Sequence, residues 1–357
     1  DYALYMAVKG KYEGKSWMDW DEDIRFRRPE ALSAYREELA EEINYWKFLQ
    51  FKFFEQWKKL KQYAKEKDLQ IVGDIPIYVA LDSADVWSHP ELFQLDEENL
   101  TPLKVSGVPP DAFSEDGQLW GNPLYDWEKM EQTDFAWWRS RMKASAKLYD
   151  AVRIDHFIGV VQYYAIPYGA VTAKDGEWEK GPGKKLTDAL DEAAGETKII
   201  AEDLGVFCQE VKDLLAETGY PGMKIIEFAF SGDRFNEHLP HCYDPNSVVY
   251  GGTHDNETLA GYFKPEKRQW WELQYIADYL GAAHQSEVVD RVFRAAYGSV
   301  ASVAIFQMQD VLKLDNWARM NTPGTLGENW RWRLVPGQFT DERADYLSWL
   351  VDTFGRF

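Results

Sequence analysis

Three acidic motifs in this chain have the residue types and spacing to do chemistry: Arg153-Ile154-Asp155-His156-Phe157, Ala201-Glu202-Asp203-Leu204-Gly205 and Gly252-Thr253-His254-Asp255-Asn256-Glu257. Each has an ordinary structural reading when taken alone. An R-x-D at a strand end is often an ion pair, an acidic pair before Leu-Gly often caps a helix, and a His-Asp step is often a hydrogen-bonded loop pair. Together they point to a reaction. Two carboxyl groups about 5–5.5 Å apart are what a retaining glycosidase uses, one as nucleophile and one as acid/base. Arg153 stands two residues before Asp155, so on a strand both point to the same face. Its permanent charge would keep that carboxylate ionised and acceptor-only.

The composition agrees with a sugar-directed site. Sixteen Trp, 20 Tyr and 19 Phe make the chain 15% aromatic. Trp and Tyr offer flat apolar faces with a polar tip, which suits the C–H faces and hydroxyl rims of sugars. Trp87, Trp120, Trp127, Trp178, Trp330 and Trp332 fall in polar, Gly/Pro-rich stretches and are hard to assign to a core. A net charge of −20 argues against nucleic-acid or anionic-membrane partners, which would favour the opposite sign. Apolar stretches break within about ten residues, whereas a spanning helix needs about twenty, and the basic start of a signal peptide is absent. Cys208 and Cys242 cannot build a disulfide framework, so a cytoplasmic location is expected. The six histidines are scattered and form neither H-E-x-x-H nor a Cys/His cluster, and no EF-hand loop occurs. No metal or organic cofactor is expected.

The elements that must position these residues alternate. Residues 30–67 read as a helix, with Ser33 able to cap its start and Tyr45, Phe48, Leu49, Phe53, Trp57 and Leu60 at helical spacing. Short apolar strands are expected at 69–79, 151–157, 198–203, 223–230, 247–253 and 300–307. Helices are expected at 134–149, 186–195, 208–218, 267–281, 285–298 and 340–354. Such alternation predicts a parallel α/β fold. Asp74, Asp155, Glu202 and Asp255 lie at or just beyond the ends of four different strands, the arrangement of a (β/α)₈ TIM barrel. A doubly wound sheet would instead carry a glycine-rich phosphate loop at one switch point, and no such loop is present. Six strands are found where a barrel needs eight, so the first two barrel strands are expected to be absent from this chain. Residues 1–68 then read as a helical insertion, and 69–357 as barrel strands 3–8. Residues 80–133 form a long aperiodic excursion over the C-terminal face of the barrel.

The motifs RIDHF, AEDLG and THDNE resemble the signature strands of the α-amylase clan, and within it the 4-α-glucanotransferases (amylomaltases, glycoside hydrolase family 77). VGDIPIYV (72–79), GVPPDAFSEDGQLWGNPLY (107–125), GEWEKGPG (176–183) and MNTPGTLGENWRWR (320–333) extend the resemblance essentially end to end. It implies Asp155 as nucleophile, Glu202 as acid/base and Asp255 as the third carboxylate, holding sugar hydroxyls in the distorted state. It further implies that Arg153 orients Asp155, that His254 donates to the same sugar, and that Asp74 supports the other carboxylates. Asp111, Trp120, Asn122 and Tyr125 become candidates for substrate contact in one loop, and Asn321 and Pro323 in a second loop over the opposite rim. The sequence departs from the family at Ile158-Gly159-Val160, where Arg-Gly-Phe is commoner, and in lacking the family's opening strands and its Ser/Pro/Tyr-rich stretch. The implied substrates are α-1,4-glucans such as maltooligosaccharides, amylose and glycogen, passed between acceptors through a covalent glycosyl-Asp intermediate. An α-glucan hydrolase with the same residues, or an inactive glucan-binding fragment, are the alternatives.

Overall fold

The computed structural model describes residues 1–110, 114–205 and 208–357. The chain divides into two compact units, Asp1–Thr218 and Gly219–Phe357.

The first unit opens with helices. Tyr2–Lys11 packs against the 27-residue helix Ala40–Glu66, which follows Pro29–Glu38. The single helix expected over 30–67 is therefore two. Backbone hydrogen bonds run on through Leu39, whose ψ of 23° turns the chain out of helical conformation. Ser33 sits inside the first helix rather than at its start. That start is set by Pro29, whose missing N–H and fixed φ suit the first turn.

Among the described residues ten strands follow in chain order: β1 (Val72–Pro76), β2 (Lys104–Val108), β3 (Gln118–Pro123), β4 (Ala151–Asp155), β5 (Gln162–Pro167), β6 (Glu177–Lys180), β7 (Lys198–Ala201), β8 (Gly222–Ile225), β9 (Ser247–Tyr250) and β10 (Val303–Ile305). Six of them, β1, β4, β7, β8, β9 and β10, fall where the sequence predicts strands. They pair in parallel as two three-stranded sheets, β1-β4-β7 in the first unit and β10-β9-β8 in the second. The fold is α/β. In the first sheet Asp74 is the register partner of Arg153, and Pro76 of Asp155. In-register residues of parallel strands share a face, as do residues two apart, so Asp74, Arg153 and Asp155 emerge on one side. Gly73 is required because the Tyr149 ring lies against it: a Cβ there would stand 2.1 Å from a ring carbon.

The excursion at 80–133 is more ordered than its sequence suggests. It contributes β2 and β3 to a four-stranded antiparallel sheet of order β3-β2-β5-β6. Val105, Tyr164, Ile166 and Ala173 form its small core. Trp87 is fully buried, with its indole N–H donating to the Ile24 carbonyl and the Arg27 guanidinium over its ring. The expectation that it lies outside a core is wrong, because a polar stretch wraps it against the N-terminal helices.

In the second unit the helices Trp270–Leu280, Val288–Tyr297 and Asp341–Phe354 pack on β8–β10 through a core that includes Ile226, Val249, Leu259, Val292, Phe293 and Leu350. Gln269 and Glu272 close a capping box on the first of these, and Gly281 ends it in the left-handed region. Cys208 and Cys242 are free thiols. Among the described residues, no helix is long and apolar enough to cross a membrane, and no cluster of His, Cys, Asp and Glu could hold a metal ion.

Candidate active site

The C-terminal ends of β1, β4 and β7 bring four of the predicted residues together. Arg153, held below the surface by β4, donates from Nη1 to Asp74 Oδ2 at 2.6 Å and pairs from Nη2 with Asp155 Oδ1 at 2.8 Å. The guanidinium fork thus spans two carboxylates on adjacent strands, a task the point charge of a lysine would not do.

Glu202 follows β7 and is only 7% exposed. Its backbone N–H donates to Ile154 O, its carbonyl accepts from Phe157 N, and its carboxyl accepts from His156 N at 2.6 Å and Leu204 N at 2.9 Å. These bonds tie it to the turn that begins at Asp155. Burial and then the Asp155 charge push its carboxyl up to about 7, against the lowering effects of Arg153 and the two N–H donors. A carboxyl group raised to about 7 beside a carboxylate gripped by arginine is a pair whose environments differ in the way that acid and nucleophile roles require.

His156 was not singled out by the sequence. It takes a left-handed φ of 53°, uncommon outside glycine, and this turn presents its N–H to Glu202. The Trp120 ring meets the imidazole edge-on at 4.7 Å, with Tyr78 at 6.5 Å. Burial lowers its ring to about 4, so it is neutral at pH 7, and its enclosed Nε2 has no partner among the described residues. Its position directly after R-I-D was the available signal.

The other predicted residues of this unit divide. Trp120, on β3, remains 38% exposed. Asn122 is a tie: its amide donates to Val79 O and its carbonyl accepts from Ser106. Tyr125 is 1% exposed, donates to Ile77 O at 2.7 Å, and packs against Tyr78, Phe93 and Trp138. It presents no surface, and supports Tyr78 from beneath. Asp111 lies outside the described residues.

In the second unit, the segment after β9 carries His254 and Asp255. Asn321 Nδ2 donates to Asp255 Oδ1 at 2.6 Å, and the Asn321 N–H donates to the His254 carbonyl. Three of the predicted residues therefore meet. Arg319, missed in the sequence, donates to the carbonyls of both Asp255 and Asn321 and locks the two loops together. The Trp330 ring lies 5.0 Å from that of His254. Pro323 is exposed.

Strand-end carboxyl groups, one gripped by a buried arginine and one raised to about 7, are an arrangement in an α/β fold that can do acid/base and nucleophilic work. Comparison with known proteins gives the family. The family model described as 4-alpha-glucanotransferase matches residues 1–338. The chain is 50% identical to the 4-alpha-glucanotransferase of Clostridium butyricum over 100% of its own length and 73% of that protein. It is 48% identical to that of Synechocystis sp., over 100% and 70% respectively. Among solved structures it is similar to the amylomaltase from Streptococcus agalactiae in complex with acarbose, with a TM-score of 0.95 and 41% identity over 99% of this chain and 72% of that one. The chain belongs to the 4-alpha-glucanotransferase family, and its activity is 4-alpha-glucan transfer.

Proposed function

We propose that this chain moves α-1,4-glucan segments between maltooligosaccharides by double displacement. In the first half, an oxygen of Asp155 attacks the anomeric carbon, the glycosidic C–O bond breaks, and Glu202 gives its proton to the departing 4-oxygen. A glycosyl ester on Asp155 remains. In the second half, the Glu202 carboxylate takes the proton of an acceptor 4-hydroxyl as that oxygen attacks the anomeric carbon and displaces Asp155. Two inversions return the original configuration. Arg153 keeps Asp155 ionised and oriented, and Asp74 fixes Arg153. Asp255, steadied by Asn321, holds sugar hydroxyls in the distorted state together with His254, and Trp120 stacks on a glucose face. Asp111, Asn122, Tyr125 and Pro323 belong to the surrounding loops, Tyr125 as a support.

The observation that carries this reading is the contrast between Glu202 and Asp155: one carboxyl enclosed and raised to about 7, the other paired with Arg153 at 2.8 Å. We further infer that the two parallel sheets belong to one (β/α)₈ barrel comprising strands 3–8, with 1–68 as a helical subdomain and 80–133 as an excursion over the substrate. All-parallel pairing with carboxylates at C-terminal strand ends supports this. The substrates are maltooligosaccharides, amylose and glycogen, and two free thiols fit a reducing cytoplasm. Incubation with maltotriose alone tests the reaction. Glucose together with oligomers longer than maltotriose is expected; glucose and maltose with nothing longer would overturn transfer in favour of hydrolysis.

A further inference from the structure

The second unit buries two carboxyl groups that the reaction does not use. Glu227 lies in the turn after β8 and is 2% exposed; Asp310 lies in the short helix Met308–Val311 after β10 and is 0% exposed. Both touch the segment 251–262 that follows β9 and carries His254 and Asp255. The Glu227 N–H donates to Gly251 O at 3.2 Å, and the Tyr262 hydroxyl donates to the Glu227 carbonyl. Gly252 lies directly on the carboxyl, since a Cβ there would stand 2.7 Å from Glu227 Oε1. Asp310 Oδ1 accepts from Leu259 N at 2.7 Å.

Each group has one enclosed oxygen, Glu227 Oε1 and Asp310 Oδ2, with no hydrogen-bond partner among the described residues. The charged groups acting on Glu227 are Asp310 and Glu257, which disfavour its ionised form, and Arg319 and Arg268, which favour it. Those two arginines spend hydrogen bonds elsewhere, Arg319 on the Asp255 and Asn321 carbonyls and Arg268 on the Tyr262 carbonyl. The Leu259 N–H is the polar group that favours ionised Asp310. An ionised carboxylate only accepts, whereas a protonated one can also donate.

We propose that Glu227 and Asp310 hold at least one proton between them at neutral pH and serve as positioning residues for the His254–Asp255 segment. Burial pushes Asp310 up to about 7 and Glu227 well above the carboxylate range, with the Asp310 charge adding to the latter. The Asp310 charge acts on Glu227, so the protonation of Glu227 is coupled to that of Asp310. With the proton, the segment rests on a neutral floor. Without it, buried like charges lie beneath Gly252 and Leu259, with Glu257 nearby. The effect on turnover rests on the role proposed for Asp255, whereas the effect on stability does not.

Glu227→Gln, of the same shape and permanently neutral, is the test, with Glu227→Leu as the variant that cannot hydrogen-bond. In the wild type the native pair keeps a proton that the unfolded chain has lost above the ordinary carboxylate range, so stability falls with rising pH until the native pair has titrated. Thermal melts from pH 5.5 to 9 should show Glu227→Gln gaining on the wild type as pH rises. Glu202 titrates in both proteins and cancels in the difference. A constant Tm difference across that range would overturn the shared proton, and Asp310→Asn gives the same readout if Glu227→Gln does not fold. On maltotriose at pH 6, Glu227→Gln should keep kcat within about twofold of wild type while folded Glu227→Leu loses about tenfold or more. Equal kcat in the two variants would overturn positioning. Full activity in Asp255→Asn would instead sink the role given to Asp255 and leave the melts to decide the proton.

Discussion

Arg153 grips Asp155 from one guanidinium nitrogen at 2.8 Å while its other nitrogen holds Asp74 at 2.6 Å, so the proposed nucleophile is fixed by a residue anchored on two strands. Arg153→Lys should lower kcat/KM on maltotriose on the order of 10²-fold, since one ammonium cannot serve both carboxylates in the fork geometry. Asp74→Ala should lower it less, because Arg153 would keep its hold on Asp155. Equal losses would mean that Asp74 acts on the substrate directly. Both variants should lose less than the ~3–5 kcal/mol of a broken fully buried pair, because each carboxylate side chain remains 40% exposed.

Glu202 sets a pH dependence in two observables. In the proposed mechanism its acid form protonates the leaving oxygen, so glycosylation should slow as pH rises through about 7. Its native pKa lies above the unfolded value of 4.5. The native state therefore holds a proton that the unfolded chain releases, and stability falls between about pH 4.5 and 7. Glu202→Gln should remove that loss, worth about 3 kcal/mol at most. Melts of the two proteins at pH 5 and 8 check the sign: the variant should gain relative to wild type at the higher pH.

Trp120 and Tyr125 separate surface from core within one motif. Trp120→Ala should weaken binding of maltoheptaose by roughly 1–2 kcal/mol with a Tm change of a few degrees at most, since the ring is 38% exposed. Tyr125→Ala removes a buried ring and should cost about 3–5 kcal/mol of stability. Titration and melts on both variants decide; a large Tm loss in Trp120→Ala would return that ring to the core.

Asn321 should act through Asp255. Asn321→Ala frees an Asp255 oxygen held at 2.6 Å and should lower kcat about tenfold, the scale of one lost hydrogen bond to a charged group. Asn321→Asp places a like charge there, and should lower kcat further at pH 7.5 than at pH 5.5. A variant whose loss is the same at both pH values would show that charge beside Asp255 is not what matters.

Much of this was legible in the sequence, for specific physical reasons. The six parallel strands are short apolar β-branched runs, and R-x-D on a strand forces Arg153 and Asp155 onto one face. What escaped was long-range. β2 and β3 carry Gly, Pro, Gln and Asn, and β2 pairs with β5 about sixty residues further along the chain, a pairing no local period reveals. Trp87 read as outside a core because polar neighbours surround it in sequence, and Tyr125 as a substrate contact through the family resemblance, while apolar residues surround both in space. Arg319 and His156 act through backbone bonds, Arg319 as a donor to carbonyls and His156 through a left-handed turn. Neither leaves a periodic or compositional trace.

The covalent intermediate on Asp155 is the central claim, and trapping it is the most direct measurement. Glu202→Gln should be mixed with α-maltosyl fluoride, whose leaving group needs no acid, and quenched in acid. The second step lacks its base, so the glycosyl ester should accumulate. Proteolysis and mass spectrometry should then place a maltosyl increment on the peptide containing Asp155. The same increment on the peptide containing Asp255, or fluoride release at full steady turnover with no labelled peptide, would contradict the account.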